Sequence, residues 1–298
     1  MKNEKNDYFV LDDDEFFQKE NPSLVIRTSR SVSLVNHIDA ALENALAQIS
    51  NLTPEMTNQC GPGWPASCEL CLDGSVTVNT SQVNPPESEK WHEMRLGGFS
   101  GYAFRHLMNN LGSGLVKNYL EIGTFRGSSL ISTVYGNEDS LNEIHAIDNF
   151  SEFVRGPDHP QGEYDPKADL EWNLSRFLPD TKNRIQFHEE DCWEFDLKKL
   201  PKIDLYFYDG YHSAECQYKA FKYFEPVFAD CFISVVDDWE QPQVRKGTRR
   251  AYSEIGYDVI ASRAVIPARR PAGINSVESP SGDWWLGVHV SVLKKRGI

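Results

Sequence analysis

A short buried strand that breaks on a glycine turn and re-forms as a helix constrains this chain more than any other feature. It is the run Tyr119-Leu120-Glu121-Ile122-Gly123-Thr124-Phe125-Arg126-Gly127-Ser128-Ser129. Glycine lets the backbone bend sharply and approach a ligand closely. The helix start behind the bend offers unpaired N–H groups to a carboxylate. A nicotinamide dinucleotide fingerprint has the spacing Gly-x-Gly-x-x-Gly. Here the spacing is Glu-x-Gly-x-x-x-Gly, and Glu121 repels a diphosphate where it welcomes an ammonium. The pattern favours an amino-acid-bearing cofactor.

The rest of the chain places that turn in an α/β architecture. From about residue 96, helical and strand patterns alternate. Strands are expected at 119–122, 144–147, 185–188, 203–208, 232–236 and 257–261, and helices at 102–111, about 130–134, 170–177, 214–224 and 244–254. Strands separated by helices mean βαβ units and a mostly parallel sheet. A closing strand within 284–293 follows its predecessor through a loop, which implies one antiparallel member at the edge. Residues 96–298 therefore read as one Rossmann-like domain.

Residues 1–95 read as an extension. Residues 1–30 form a polar lead. Leu34, Ile38, Leu42, Leu46 and Ile49 recur at helical spacing over 33–49, a stripe suited to packing on the main domain or on a second copy in a homodimer. Residues 52–90 are rich in Pro, Gly, Asn and Ser, with one short strand expected at 76–78. Cys60, Cys68 and Cys71, with His92 downstream, leave a structural zinc site open beside the plainer reading of free or redox-paired thiols. Cys192, Cys216 and Cys231 read as free thiols.

Charge excludes one class of partner. The formal net charge is −14, whereas nucleic-acid binders neutralise phosphates with clustered Lys and Arg. Asn84-Pro85-Pro86 resembles the motif of DNA amino-methyltransferases, but Glu87 follows it instead of an aromatic residue. No segment has the length and apolarity of a signal peptide or a membrane span. The expectation is a soluble, cytoplasmic protein with a small-molecule partner, and neither a nucleic acid nor a membrane.

Acids recur at the ends of successive strands. Asp148 closes the second, 25 residues after Gly123, where an acid accepts hydrogen bonds from ribose hydroxyls. Asp191-Cys192 follows the third, within reach of an adenine amino group. Asp209 ends the fourth, and Asp237-Asp238 the fifth. Neighbouring strand ends lie about 5 Å apart, so the last three carboxylates suit one hard cation. His212, three residues after Asp209, suits a proton acceptor or a further ligand. Trp239 is the best aromatic for an acceptor pocket, beside Tyr164, Trp172, Trp284 and Trp285.

In this order the motifs resemble class I S-adenosylmethionine-dependent methyltransferases over about residues 100–298, nearest to the metal-dependent catechol and macrocin O-methyltransferases. The resemblance implies a seven-stranded sheet with the last strand antiparallel. It implies that Glu121 and the turn Gly123, Thr124, Gly127 and Ser128 hold the methionine moiety. Asp148 would take the ribose, Asp191 and Cys192 the adenine end, and Asp209 would line the cofactor site. It also implies a divalent metal, magnesium with iron or manganese as alternatives, on Asp209, Asp237 and Asp238, with Asp209 and His212 catalytic. The expected activity is O-methylation of a small hydroxylated metabolite such as a sugar, phenol or polyketide. A metal-free methyltransferase with His212 as base, and an iron-dependent oxidative enzyme, are the alternatives.

Overall fold

Strands that are apolar on both faces need a helical layer on each side. The computed structural model shows that sandwich and describes residues 8–12, 29–50, 102–152, 154, 156, 165–267 and 286–297. The strands are β1 (Tyr8–Asp12), β2 (Asn118–Ile122), β3 (Glu143–Ile147), β4 (Ile185–His188), β5 (Ile203–Tyr208), β6 (Phe228–Asp237), β7 (Tyr257–Pro267) and β8 (Val288–Lys295). The helices are α1 (Ser29–Ser50), α2 (Tyr102–Gly112), α3 (Ser128–Val134), α4 (Pro166–Phe177), α5 (Ala214–Phe224) and α6 (Pro242–Glu254).

The sheet order is β1-β7-β8-β6-β5-β2-β3-β4. Strands β4, β3, β2, β5 and β6 pair in parallel, and β8 inserts antiparallel between β6 and β7. The seven expected strands are therefore present with the last one antiparallel, but it lies between β6 and β7 and not at the edge, because β7 pairs on its outer side. An eighth was not foreseen. Strand β1, in the segment read as a polar lead, adds antiparallel to β7 with Tyr8 opposite Pro267 and Asp12 opposite Arg263.

Alternation along the strands feeds two cores. Tyr119, Leu205 and Phe207 face the layer holding α1 to α4, while Leu120, Tyr206 and Tyr208 face α5 and α6. The stripe of α1 buries Leu34, Ile38, Ala41 and Leu42 in the first of these cores, against α2 and the β6–β8 region. The Arg263 guanidinium ties it to β7 by donating to Asp39 at 2.9 Å. The extension thus supplies a strand and a helix to the main sheet. Among the described residues no helix is long and apolar enough to cross a membrane. Cys192, Cys216 and Cys231 are free thiols. The cysteines 60, 68 and 71, the strand expected at 76–78, the Asn84-Pro85-Pro86 run, and Tyr164, Trp284 and Trp285 lie outside the described residues.

From β2 the chain runs outward to β3 and β4, then returns to build β5 and β6 on the other side. That reversal opens a crevice at the carboxyl ends of the strands, where open α/β sheets take their ligands.

Candidate active site

The strand ends are held in line by continued ladder bonds. Gly123 N–H donates to the Ile147 carbonyl at 3.0 Å, Asp209 N–H to Ile122 at 2.9 Å and Asp148 N–H to His188 at 3.1 Å. The glycine turn then fits against the end of β5. Gly123 has φ +86°, and a Cβ there would stand 2.1 Å from the Asp209 carbonyl oxygen. The backbones approach so closely that only glycine satisfies both demands. Asp148 holds the turn from the other side. Its carboxylate accepts the N–H groups of Thr124 at 2.8 Å, Phe125 at 2.7 Å and Phe150 at 2.7 Å.

These elements enclose a cavity of about 350 Å³. Of the residues singled out from the sequence, Gly123, Thr124, Ser128, Asp148, Asp191, Cys192, Asp209, His212, Asp237 and Asp238 all line it. Burial, with Asp191 nearby, pushes the Cys192 thiol up to about 12, so it stays protonated. Gly127 shapes the start of α3 with φ +82° and is not part of the wall.

Glu121 is not in the wall either. It is fully buried, accepts the Ser129 hydroxyl at 2.8 Å and the Tyr119 hydroxyl, and does not line the cavity. Burial pushes its carboxyl up to about 8, with the charges of Asp209 and Asp148 adding to the rise. Direct contact with a cofactor ammonium is therefore not what the geometry provides. Glu121 stands behind the turn.

In the same cavity, His212 lies between two carboxylates. Its Nδ1 is 3.0 Å from Asp238 Oδ2 and its Nε2 is 3.4 Å from Asp209 Oδ1. Burial pulls the imidazole down, but the Asp209 hydrogen bond and the Asp238 and Asp209 charges outweigh it and leave the group above 6.5. Burial raises all three acids, with the Asp148 and Glu152 charges adding to Asp209 and the Asp209 charge adding to Asp237 and Asp238; Asp238 reaches about 6 and Asp237 lies well above the usual range. Asp238 adopts φ +55°, a left-handed conformation that strains a non-glycine residue. Neighbouring bonds hold it there: Gln241 donates to Asp238 Oδ2 at 2.8 Å, and Trp239 N–H to Gly287 at 3.1 Å. The second oxygen, Asp238 Oδ1, is buried without a hydrogen-bond partner among the described residues.

That bend decides the fate of Trp239. It points into the core, 1% exposed, and stacks on His289 at 3.8 Å, so it supports Asp238 and leaves the acceptor space to others. Trp172 is half exposed on α4, away from the cavity wall. The aromatics that line the cavity are Phe104, Phe125, Phe150, Trp193, Tyr208 and Tyr211, and Tyr211 is 66% exposed. Arg126 also lines it, steered by Asp169 of α4 at 2.9 Å. Nothing local in the sequence announces that pairing, because its partner comes from another helix.

Residues 120–239 match the model of a family described as "Methyltransferase domain". The match spans the turn and the strand-end acids, and it supports a methyltransferase activity. No curated protein matches it. Among solved structures, a Klebsiella pneumoniae protein assigned as an O-methyltransferase is 15% identical, with 94% of this chain and 96% of that one covered at a TM-score of 0.43. TrmN from Thermus thermophilus is 14% identical, covering 72% of this chain and 55% of that one at 0.44. A precorrin-6y C5,15-methyltransferase from Geobacter metallireducens is 15% identical, covering 60% and 80% at 0.40.

Proposed function

We propose that this protein is an S-adenosylmethionine-dependent O-methyltransferase acting on a hydroxyl of a small metabolite in the cytoplasm. The observation that carries this reading is one cavity lined by the glycine turn, Asp148 and His212, with His212 bracketed by Asp209 and Asp238. When bound, the cofactor supplies a methyl group activated on a sulfonium and leaves as a neutral thioether. The turn and Asp148 position it, and the part of the cavity lined by His212 receives the acceptor. Asp238 fixes the imidazole through Nδ1; Nε2, which faces Asp209 at 3.4 Å, takes the acceptor's proton once the acceptor hydroxyl displaces that long contact, and Asp209 offsets the imidazolium charge. Most of the rate comes from holding oxygen and methyl carbon in line.

The donors fit a hard divalent cation in their chemistry. Asp209, Asp237 and Asp238 repel one another, and Asp238 keeps an unpartnered buried oxygen. Magnesium held by these three would lower the pKa of an acceptor hydroxyl. Among the described residues no three such side chains are yet arranged as ligands, and the imidazole stands between two of them. The position of the imidazole supports a second reading beside the metal-assisted one, in which His212 acts alone.

Chelation separates the two. The raised carboxyls stabilise the fold at acid pH and lose that contribution as pH rises through about 6, where Asp238 ionises. Magnesium is therefore expected to raise the melting temperature of EDTA-treated protein more at pH 8 than at pH 5. Turnover of a panel of sugars, phenols and polyketides should fall on chelation and return with magnesium. No melting shift, with full turnover in EDTA, selects His212 alone.

A further inference from the structure

Glu121 is sealed beneath the turn, yet its partner Ser129 lines the cavity. Among the described residues its two oxygens meet only the hydroxyls of Ser129 and Tyr119. The titratable groups acting on it are Tyr119 on its own strand, Asp209 at the end of β5 and Asp148 at the end of β3. Helix α3 contributes hydroxyls, with Thr133 bonding both Tyr119 and the Ser129 carbonyl. Among the described residues, hydroxyl donors and acidic neighbours are what meets this buried carboxylate, and none of them supplies a compensating charge. Such a group stays protonated until a cation comes near.

We propose that Glu121 senses the charge of the cofactor from behind the turn, losing its proton to solvent when a cationic cofactor fills the cavity and regaining one when the neutral thioether remains. Tyr119 and Ser129 are the positioning residues that hold it there. The inference rests on the reading of this cavity as the S-adenosylmethionine site. A cation acts on a buried acid across several ångströms because the intervening medium screens poorly. The carboxyl's value of about 8 puts the exchange near neutral pH. The consequence is discrimination: the substrate cofactor is favoured over its spent product, which eases product exchange.

The test is calorimetry with S-adenosylmethionine and with S-adenosylhomocysteine at pH 6.5 and 8.5, in EDTA and in two buffers of different ionisation heat. Wild type should bind the methylated form up to ~10-fold tighter at the higher pH, releasing up to about one proton at the lower. Affinity for the demethylated form should change by no more than about twofold, the change expected when no proton is exchanged. Glu121→Gln, which keeps the shape of the neutral acid, should lose both the pH advantage and the extra proton release. Tyr119→Phe removes a donor that favours the carboxylate, so the advantage should appear at higher pH. Asp237, Asp238 and His212 contribute alike in wild type and Glu121→Gln, and the difference between the two reports Glu121 together with its coupling to Asp209. Equal pH dependence for both ligands in wild type overturns the inference, whether or not the variants fold, and leaves the assigned function standing. Wild type binding neither ligand overturns both.

Discussion

Gly123→Ala is expected to abolish cofactor binding and to cost the fold about 2–4 kcal/mol, from left-handed strain of about 1 kcal/mol and overpacking of about 1–3 kcal/mol. The new Cβ would lie 2.1 Å from the Asp209 carbonyl oxygen and 2.6 Å from its carbon, and both are backbone atoms that cannot rotate away. Relief requires parting β2 from β5, which shifts the turn relative to Asp209 and opens the cavity between them. Gly127→Ala is the informative control. It shares the left-handed backbone at φ +82°, but its Cβ meets the end of the Leu170 side chain at 2.5 Å, which can move. Denaturant unfolding and S-adenosylhomocysteine titration of both variants check this. A Gly123→Ala protein that binds like wild type would remove the basis for placing the cofactor at this turn.

His212→Ala should lower kcat by about 10²–10⁴, the usual loss on removing a general base, while the affinity for S-adenosylhomocysteine stays near that of wild type. The imidazole must be neutral to accept a proton. Its pKa is raised above 6.5 in the fold, so turnover by wild type should climb as pH passes through a value above 6.5. Asp238→Asn removes a charge that raises the imidazole, which moves that climb toward lower pH. The same shift predicts that pairing of His212 stabilises the protein below pH 6.5 and is lost as pH rises. His212→Ala should therefore destabilise more at pH 6 than at pH 8. A pH profile unchanged by Asp238→Asn would detach the histidine from the chemistry.

The parts of this molecule legible in the sequence are those set by short-range physics. Strands buried on both faces, the glycine bend and an acid after each strand end all sit within a few residues of one another. They identified the doubly wound sheet and brought Asp148, Asp191, Asp209 and Asp237-Asp238 to one rim. What failed depended on direction or on distant partners. Glu121 was placed on the ligand because it leads the motif, whereas strand alternation puts it with Tyr119 beneath α3. Trp239 was assigned to the acceptor because it follows Asp238, and the left-handed turn at Asp238 sends it into the core. Strand β1 was missed because its partner, β7, lies at the other end of the chain and runs six residues past the expected end at 261, to Pro267. Pairing at that separation leaves no periodic trace in the local sequence. The Arg126–Asp169 pair was invisible for the same reason.

The account's central claim is that the bend at Gly123 seats a sulfonium nucleoside, and calorimetric titration of the wild-type protein tests it most directly. Saturable one-to-one binding of S-adenosylhomocysteine, abolished in Gly123→Ala and with no heat from a nicotinamide dinucleotide, is the predicted result. Saturable binding of the dinucleotide, with no response to S-adenosylhomocysteine, would contradict it.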